Sequence, residues 1–390
     1  MTQGYRILYH HRIRADDGQA VHVRELIHAL RGEGHEVMEC ALVPKAGASS
    51  AAVEASSQGG WLRHLRLPRV MTEVMEVAYN RHGRRMLAQT AESFSPDFIY
   101  ERHALHCRAG LLTARELGIP LLLEVNSPMC DEMEKLGLLK FPRRARRTER
   151  EVLGGADRVL AVTEVLRDRL IACGSDADRT RVIGNGAVLM RYGEEARSAA
   201  AQLREGFPSG AFMIGFFGYA RDWHRLDLAL EAMSAADLEK VHLLLVGEGP
   251  ATASIQNRAV ELGLEDRLIV AGGVSAADLP AYVCSCDAAL IPAINAYASP
   301  LKLFDSLAAG IATLAPDQPN LREVLRDTEN GLLFTPGSSE ALAAKMRVLM
   351  TDTGIARRIG EAGRRSLIEH DRTWTGNARR VIAMYEELAS

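Results

Sequence analysis

Tyr297-Ala-Ser-Pro-Leu-Lys-Leu-Phe-Asp-Ser-Leu-Ala-Ala-Gly310 is a polar loop that leads directly into an apolar-periodic helix. Continuous apolar runs flank this stretch at 288–291 and at 310–315, and such runs are typical of buried strands in a parallel sheet. The loop is therefore expected at the carboxyl ends of the strands, the edge where open α/β sheets bind ligands. We predict an α/β fold built on this unit of strand, loop and helix.

The start of this helix has the features of an anion-binding site. The amide groups of its first turn and the positive end of the helix dipole attract phosphate, and Lys302 adds a cation. Asp305, one turn further on, is able to accept hydrogen bonds from sugar hydroxyls. Together these features predict a nucleotide site. Ser-Pro before a helix is also an ordinary cap and first turn, and this alternative stays open.

Length and composition set further bounds on the chain. Its 390 residues are enough for two globular domains with a core each. The formal net charge is −3 and no strongly basic block dominates, which gives no electrostatic support to a nucleic-acid partner. The six scattered cysteines lack zinc-site spacing and predict reduced thiols in a cytoplasmic protein. No apolar run has the length of a membrane span.

Strand-like runs alternate with amphipathic helices twice along the chain, which is the pattern of doubly wound parallel sheets. In the first half, strands are predicted at 6–10, 36–41, 98–100, 121–125, 158–162 and 181–183. In the second half, strands are predicted at 213–217, 241–246, 268–271, 288–291 and 313–315. The segment 191–208 lacks strand periodicity and is predicted to be a linker. Two Rossmann-like domains, 1–190 and 205–373, are therefore expected to face each other across a ligand cleft.

The 297–310 stretch resembles the donor-binding element of GT-B glycosyltransferases of the family-4 type, in which two Glu residues are separated by seven positions. Tyr297 stands in place of the first Glu, and Asp305 in place of the second. The resemblance implies that Asp305 accepts hydrogen bonds from the ribose hydroxyls. It also implies that the backbone from Ser299 through Pro300 and Leu301 to Lys302 forms a cradle for the diphosphate. All of these residues except the proline carry an N–H group.

The same resemblance covers nearly the whole chain and implies a reaction. A hexosyl unit would pass from a nucleoside-diphosphate sugar to an acceptor hydroxyl with retention of configuration, without a metal or other cofactor. A UDP-sugar is favoured over a GDP-sugar because it is the commoner donor in that family. The acceptor stays open between a glycan, a lipid-linked sugar and a small molecule, in polysaccharide, glycolipid or natural-product synthesis. The resemblance further implies that a terminal helix at about 374–390 packs back on the first domain.

Other glycines and cations complete the expected donor site. Gly18 lies in the loop after the first strand, where it either approaches the donor phosphates or makes a plain turn. The spaced glycines that mark a dinucleotide-binding loop are missing from this segment. After the strand at 213–217, relatives carry an Arg and a Lys where this chain has Tyr219 and His224, and His224 is itself predicted to contact the donor. Arg221 and Arg225 are close enough in sequence to take over that role. Gly273 and Val274 are the candidates for contact with the nucleotide base.

The first domain offers catalytic and acceptor-side candidates. A buried strand ends in Glu124-Val-Asn126, and we predict Glu124 and Asn126, with Arg221 and Lys302, as catalytic residues. Glu101-Arg102 follows another strand and is predicted on the acceptor side. These residues are otherwise explained by a strand cap and a surface salt bridge. Asp176-Ala-Asp178 is interpreted as a turn, so no metal site is predicted.

Two alternatives remain at this point. A sugar-nucleotide epimerase would share the fold and would need acid and base groups, for which Glu124 and His103 are the candidates. A non-catalytic nucleotide-sugar-binding subunit is suggested by the departures at Tyr297, Asn126 and His224. Segment 45–60 is predicted to be a mobile acceptor loop. The basic segments 61–67 and 141–147 predict either peripheral contact with the inner face of the membrane or solvated helices.

Overall fold

The computed structural model describes residues 4–15, 17–45 and 68–389. The predicted acceptor loop, beyond Lys45, and the basic segment 61–67 lie outside the described residues. The chain divides into two compact units. The first comprises Met1–Gly184 and Trp374–Ser390, and the second comprises Asn185–Thr373.

The first unit is built on a six-stranded parallel sheet in the order β2-β1-β3-β4-β5-β6. Its strands are β1 (Arg6–His11), β2 (Glu36–Ala41), β3 (Phe98–Arg102), β4 (Leu121–Val125), β5 (Arg158–Ala161) and β6 (Thr180–Val182). Its helices are α1 (Gly18–Gly32), α2 (Arg69–Phe94), α3 (Ala109–Leu117), α4 (Met129–Lys135), α5 (Pro142–Gly155) and α6 (Glu164–Ala172). The strand order reverses between β1 and β3, so this pair forms the switch point of the sheet.

The second unit repeats the plan with the parallel order β12-β11-β10-β7-β8-β9. Its strands are β7 (Phe212–Phe217), β8 (Val241–Val246), β9 (Leu268–Gly272), β10 (Ala288–Leu290), β11 (Ala312–Pro316) and β12 (Leu332–Phe334). Its helices are α7 (Glu194–Glu205), α8 (Leu226–Met233), α9 (Thr252–Glu261), α10 (Leu279–Cys284), α11 (Leu301–Ala309), α12 (Pro319–Arg322), α13 (Ser339–Thr351) and α14 (Thr353–Glu369). Here the order reverses between β7 and β10. The prediction of two doubly wound parallel sheets is confirmed.

The terminal helix α15 (Trp374–Ala389) belongs to the first unit. The Trp374 ring packs edge-on against His22 of α1, with ring centroids 4.8 Å apart. The Tyr385 ring stacks on Phe98 of β3 at 4.6 Å. The side-chain amide of Asn377 donates to the carbonyl oxygen of Gly184 at 2.8 Å. Aromatic packing and this hydrogen bond therefore fix the end of the chain to the first unit.

The prediction of a linker at 191–208 is wrong for most of that segment, because Glu194–Glu205 forms helix α7 in the second unit. The helix consists largely of Ala, Glu, Arg, Gln and Leu, which are strong helix formers. Its buried positions are Ala196 and Ala200, whose small side chains give only a weak apolar periodicity. Strand β12 was also not predicted, since three residues are too few to show a period.

Candidate functional site

The carboxyl ends of β7 and β10 form the switch point of the second sheet, and two loops meet there. The loop after β7 begins at Gly218, and the loop after β10 leads through Ser299 and Pro300 into α11. Among the described residues, no side chain caps the first turn of α11. The amino end of the helix dipole therefore faces the edge of the sheet where α/β proteins bind ligands.

The loop before α11 is held in place by two buried asparagines from outside it. The backbone N–H of Asn185 donates to Ser299 Oγ at 3.1 Å, and its side-chain amide donates to the Ser299 carbonyl at 2.5 Å. The amide of Asn320 donates to the carbonyl oxygens of Asn295 at 3.2 Å and Ala298 at 2.7 Å. The conformation of Ser299 and Pro300 is thus imposed by the surrounding unit.

Lys302 lies at the centre of this switch point. Its ammonium sits 3.7 Å from the centroid of the Phe216 ring, a cation–π contact. The same nitrogen would lie 3.7 Å from a Cβ atom placed on Gly218, so the lysine reaches the loop after β7. Burial lowers the pKa of Lys302 to about 7. An anion bound beside it would favour the charged form and raise this pKa again.

Asp305 is placed one turn after Lys302 on the same helix. Its Oδ1 accepts a hydrogen bond of 2.7 Å from the hydroxyl of Tyr192, which is buried. Burial, followed by the charge of Asp305, raises the pKa of Tyr192, so the tyrosine remains a donor. Sequence reasoning missed Tyr192, because it lies in the segment interpreted as a linker. It fixes the orientation of the Asp305 carboxylate.

The glycine loops after β7, β8 and β9 are bonded to each other. Gly218 N–H donates to the Val246 carbonyl at 2.8 Å, and Gly247 N–H donates to the Gly272 carbonyl at 2.7 Å. Gly247 has φ 118, and a Cβ atom there would overlap the Gly218 carbonyl oxygen. Only glycine fits this approach. These two pairs hold the loops of three neighbouring strands together.

The predicted base-binding residues follow β9. Gly273 is exposed, and Val274 is partly buried against the core on the α11 side of the sheet. A Cβ atom on Gly273 would make ordinary contact with the side chain of Glu248, at 3.6 Å. A residue larger than glycine would therefore fit at position 273 without a steric clash.

The cations of the loop after β7 have different surroundings. Arg221 is exposed, and its guanidinium lies 4.9 Å from the centroid of the Tyr219 ring. His224 is buried and accepts from the Arg221 N–H at 3.1 Å. Burial, and then the charges of Lys302 and Arg221, lower the pKa of His224 to about 3. His224 is thus neutral at pH 7 and supplies no positive charge.

Arg225 is already paired within the protein. Its guanidinium forms an ion pair with Asp227 at 3.0 Å, and its backbone is left-handed, with φ 54. Such a conformation is uncommon for a residue other than glycine. Of the three cations predicted to meet the donor, Lys302 and Arg221 both lie near enough to His224 to lower its pKa, whereas Arg225 is directed to Asp227.

In the first unit, the Glu124 carboxylate lies at the centre of a buried network. Its Oε2 accepts from His22 Nε2 at 2.8 Å and from the Tyr100 hydroxyl at 2.7 Å. Its Oε1 accepts from Arg102 and from the side-chain amide of Asn126. Burial alone would raise the pKa of Glu124, but the charges of His22 and Arg102 outweigh burial and hold it well below its usual range. A carboxylate that is ionised at neutral pH and accepts four hydrogen bonds is suited to positioning Asn126 and not to proton transfer.

The Glu101 side chain is fully buried inside the first unit. Its Oε2 accepts from the Gly110 N–H at 2.7 Å and lies 2.7 Å from His10 Nδ1. Strand β3 continues through Glu101 and Arg102, beyond the predicted end at Tyr100, because both charged side chains find partners in the interior. The predicted acceptor-side pair is therefore part of the sheet, and the Arg102–Glu124 ion pair is buried rather than superficial.

His10, Glu101 and Cys107 bring possible metal-ligating atoms within 4.8 Å of one another. The other ring nitrogen of His10, Nε2, lies 2.9 Å from the Tyr79 hydroxyl. Both imidazole nitrogens thus already have protein partners. This arrangement is that of a buried hydrogen-bond chain.

Comparison with known proteins identifies the family. A model of the group 1 glycosyl transferases matches residues 200–366, and a model of the glycosyl transferase 4-like domain matches residues 17–186. The chain belongs to the group 1 glycosyltransferases of the family-4 type. As in this family, the enzyme is a transferase, and the epimerase and non-catalytic alternatives are not favoured.

Named relatives of this glycosyltransferase include two mycobacterial enzymes. It is 26% identical over 369 residues to the GDP-mannose-dependent alpha-mannosyltransferase of Mycolicibacterium smegmatis, covering 93% of this chain and 92% of that one. It is 29% identical over 235 residues to the phosphatidyl-myo-inositol mannosyltransferase of Mycobacterium leprae, covering 59% of each protein. Anabaena HepE, solved in complex with UDP-glucose, superimposes with a TM-score of 0.72 at 17% identity and 99% coverage of both chains. The fold is GT-B.

Two further candidates differ from what the family motifs imply. Tyr297, in the position of the first Glu, is buried. Gly18 is the first residue of α1, where the side chain of Asp17 accepts from the Gln19 N–H at 3.0 Å. The Asp17 carboxylate thus already accepts a hydrogen bond from a backbone amide at this helix start. In addition, Gly18 belongs to the first unit, whereas the other donor-site candidates belong to the second.

Proposed function

We propose that this glycosyltransferase moves a hexosyl unit from a nucleoside-diphosphate sugar to an acceptor hydroxyl, with retention of configuration and without a metal. One observation carries the proposal: Lys302 and Asp305 stand one turn apart on α11 at the switch point of the second sheet. A cation and a carboxylate at that separation match the diphosphate and the ribose of one nucleotide.

The proposed mechanism follows from the charge that develops on the leaving group. When the bond from the sugar to the diphosphate breaks, negative charge grows on the departing phosphate oxygen. The Lys302 ammonium, the amide groups at the start of α11 and the Arg221 guanidinium would stabilise that charge. The acceptor hydroxyl would attack on the face that the diphosphate leaves, which retains the configuration. Asn126 would donate or accept hydrogen bonds in the first unit, oriented by Glu124.

The proposed donor is a UDP-sugar, with a GDP-sugar as the second candidate. HepE was solved with UDP-glucose, whereas the M. smegmatis relative is named for GDP-mannose. The proposed acceptor is a glycan, a lipid-linked sugar or a small molecule, in polysaccharide, glycolipid or natural-product synthesis. A binding screen over both bases therefore comes before any acceptor assay.

We expect one nucleoside diphosphate, and its sugar nucleotide, to raise the melting temperature of the wild-type protein. A ligand at a hundred times its dissociation constant stabilises the native state by about 2.7 kcal/mol. Asp305→Ala should lose most of this shift, because a hydrogen bond to a charged group contributes roughly 1.5–3 kcal/mol. Differential scanning fluorimetry against UDP, GDP, ADP and their sugar nucleotides measures the effect.

Asp237→Ala is the matched control for this screen. Asp237 is exposed, pairs with Arg347 and lies just before the amino end of β8, at the edge of the sheet opposite the switch point. It should keep the full ligand-induced shift. If no nucleotide shifts the wild type, or if Asp305→Ala responds as the wild type does, the proposed donor site is wrong.

Donor affinity should fall as pH rises through the pKa of Lys302. Because burial lowers this pKa to about 7 in the free protein, the ammonium loses its proton above that pH. Binding of the diphosphate requires the charged form and raises the pKa, so affinity is full below pH 7 and falls roughly tenfold per unit above it. Calorimetric titration with the sugar nucleotide should give binding about 30-fold weaker at pH 8.5 than at pH 6.

Lys302→Arg provides the control for this pH dependence, since arginine stays protonated over the whole range. Its affinity should be nearly independent of pH. A wild-type affinity that does not change between these pH values would remove Lys302 from the diphosphate site, and so would an equally steep fall in the arginine variant.

We also propose that the enzyme is cytoplasmic, with peripheral contact to the inner face of the membrane. Among the described helices, none combines the length and apolar character needed to cross a bilayer. Exposed apolar side chains in the first turns of α2 support the contact, and α5 beside it is rich in arginine. The four exposed side chains are Val70, Met71, Val74 and Met75.

A further inference from the structure

A cavity of about 370 Å³ in the first unit is not used by the proposed donor site. It lies between α2, the loop that joins β3 to α3, and α5. Its volume is within the range of small-molecule sites. The loop follows the carboxyl end of β3, the edge at which open α/β sheets bind ligands. The polar residues of its lining include Asn80, His106, Arg108, Arg144, Arg147 and Glu151.

The cavity carries an excess of positive charge. Arg108 pairs with Glu151, so one of three guanidinium groups is neutralised. Arg144 and Arg147 make no hydrogen bond or ion pair with any residue that the structure describes. The Nε of Arg108 is buried and also without a partner among those residues. A buried N–H donor without an acceptor is costly, and an anion in the cavity would supply one.

His106 presents a second unpartnered atom. Its Nε2 lies 2.9 Å from Glu73 Oε1, and Glu73 also accepts from the backbone N–H of Lys140 at 2.6 Å and of Phe141 at 2.8 Å. Burial would raise the pKa of Glu73, but these three donors lower it, so the carboxylate is ionised and Nε2 carries the proton. The other nitrogen, Nδ1, is buried with no partner in the described part of the chain.

The backbone holds His106 in an uncommon conformation. Its φ is 59, which is left-handed, and the side-chain amide of Asn80 donates to its carbonyl oxygen at 2.8 Å. The Oδ1 of the same asparagine accepts from the Arg108 N–H at 2.6 Å. Asn80 thus fixes the strained loop that carries both His106 and Arg108 into the cavity wall.

We propose that this cavity binds a phosphomonoester group. Its two negative charges would balance Arg144 and Arg147, whose planar guanidinium groups match phosphate oxygens in pairs. A further phosphate oxygen would accept from Arg108 Nε, and a hydroxyl of the molecule that carries the phosphate would donate to His106 Nδ1. We assign this phosphate to the acceptor substrate, and that assignment rests on the proposed glycosyl transfer. The binding of a phosphomonoester in the cavity does not depend on it.

Glucose 6-phosphate and glucose form a matched pair of probes, because they differ only in the phosphate. Each is titrated calorimetrically into the full chain carrying Lys302→Met, which silences the proposed donor cation. Glucose 6-phosphate should bind and glucose should not. In the double variant Arg144→Gln/Arg147→Gln, binding should be at least tenfold weaker. Arg143→Gln/Arg150→Gln, on the same helix but not in the cavity lining, should bind as the parent does.

The outcomes separate this proposal from the donor site. Absence of glucose 6-phosphate binding, or equal binding by the two double variants, overturns the phosphate cavity even where sugar nucleotides stabilise the wild type. Phosphate binding that depends on Arg144 and Arg147 supports the cavity even where no sugar nucleotide binds. Each variant should be folded, because the substituted arginines are exposed, and circular dichroism tests this expectation.

The same variants distinguish a soluble phosphate ester from a lipid headgroup. Each is sedimented with phosphatidylcholine vesicles containing either phosphatidic acid, a phosphomonoester, or phosphatidylglycerol, a diester. If the protein sediments only with phosphatidic acid, and only when Arg144 and Arg147 are present, the cavity binds a lipid headgroup. If the protein binds glucose 6-phosphate but does not sediment with either lipid, the cavity binds a soluble ester. Equal sedimentation on both lipids by all variants, with no response to glucose 6-phosphate, overturns the cavity in favour of general attraction to anionic surfaces.

Discussion

Lys302→Met should reduce turnover of the sugar nucleotide about 100- to 1000-fold, the usual effect of removing one preorganised donor from a developing negative charge. Methionine keeps the length and volume of the side chain against Phe216 but has no charge. Because burial lowers the pKa of Lys302, the ammonium is costly to the folded protein, and its removal should leave the free energy of unfolding unchanged or raise it. Release of nucleoside diphosphate measures turnover, and urea unfolding measures stability.

Lys240→Met is the matched control for this prediction. Lys240 is exposed and lies immediately before the amino end of β8, away from the switch point. It should retain the turnover of the wild type. Lys302 would be a structural residue if its variant lost stability and turnover together. It would have no role in the reaction if its variant kept full turnover.

The fold could be predicted because its signal is local. Strand β8 is apolar at every position except His242, since both faces of a parallel sheet are buried, and its bounds agree with the prediction of 241–246. Helix α7 gave no comparable signal, because alanine at its buried positions contributes little apolar contrast. Strand β12 is defined by its pairing with β11 and not by its own three residues.

The candidate site could be predicted in part, for the same reason. Lys302 and Asp305 belong to one helix start, so spacing alone places them on one turn. The residues that orient this helix start, Tyr192, Asn185 and Asn320, come from other segments. Their roles depend on three-dimensional contacts that no local pattern encodes.

The electrostatic state of each candidate likewise depends on the fold. From sequence, His224 was a donor-site candidate and Glu124 a catalytic one. Burial and the neighbouring charges of Lys302 and Arg221 leave His224 neutral, while four donors hold Glu124 ionised. Burial and neighbouring charge decide protonation, and both are properties of the folded unit.

Glu124→Ala should destabilise the first unit by about 3–5 kcal/mol, the usual cost of removing one partner from a buried ion pair. Arg102 would be left charged in the interior, and the hydroxyl of Tyr100 and the ring of His22 would each lose an acceptor. Since the folded pKa of Glu124 is depressed, its contribution is full above the pKa of the unfolded carboxyl, about 4.3, and decreases as pH falls below it. Wild-type stability should therefore decrease on acidification, and that of the variant less so.

Trp374 provides the measurement, because its ring packs against His22, which is itself bonded to Glu124. With Trp61 and Trp223 replaced by Phe, its fluorescence follows urea unfolding of the first unit alone. Glu116→Ala is the control: Glu116 pairs with Arg84 on the exposed surface of the same unit, and its loss should cost at most about 1 kcal/mol. If Glu124→Ala instead unfolded as the wild type does but lost turnover, Glu124 would act on the substrate, as the sequence first suggested, and the positioning role argued from its buried network would be wrong.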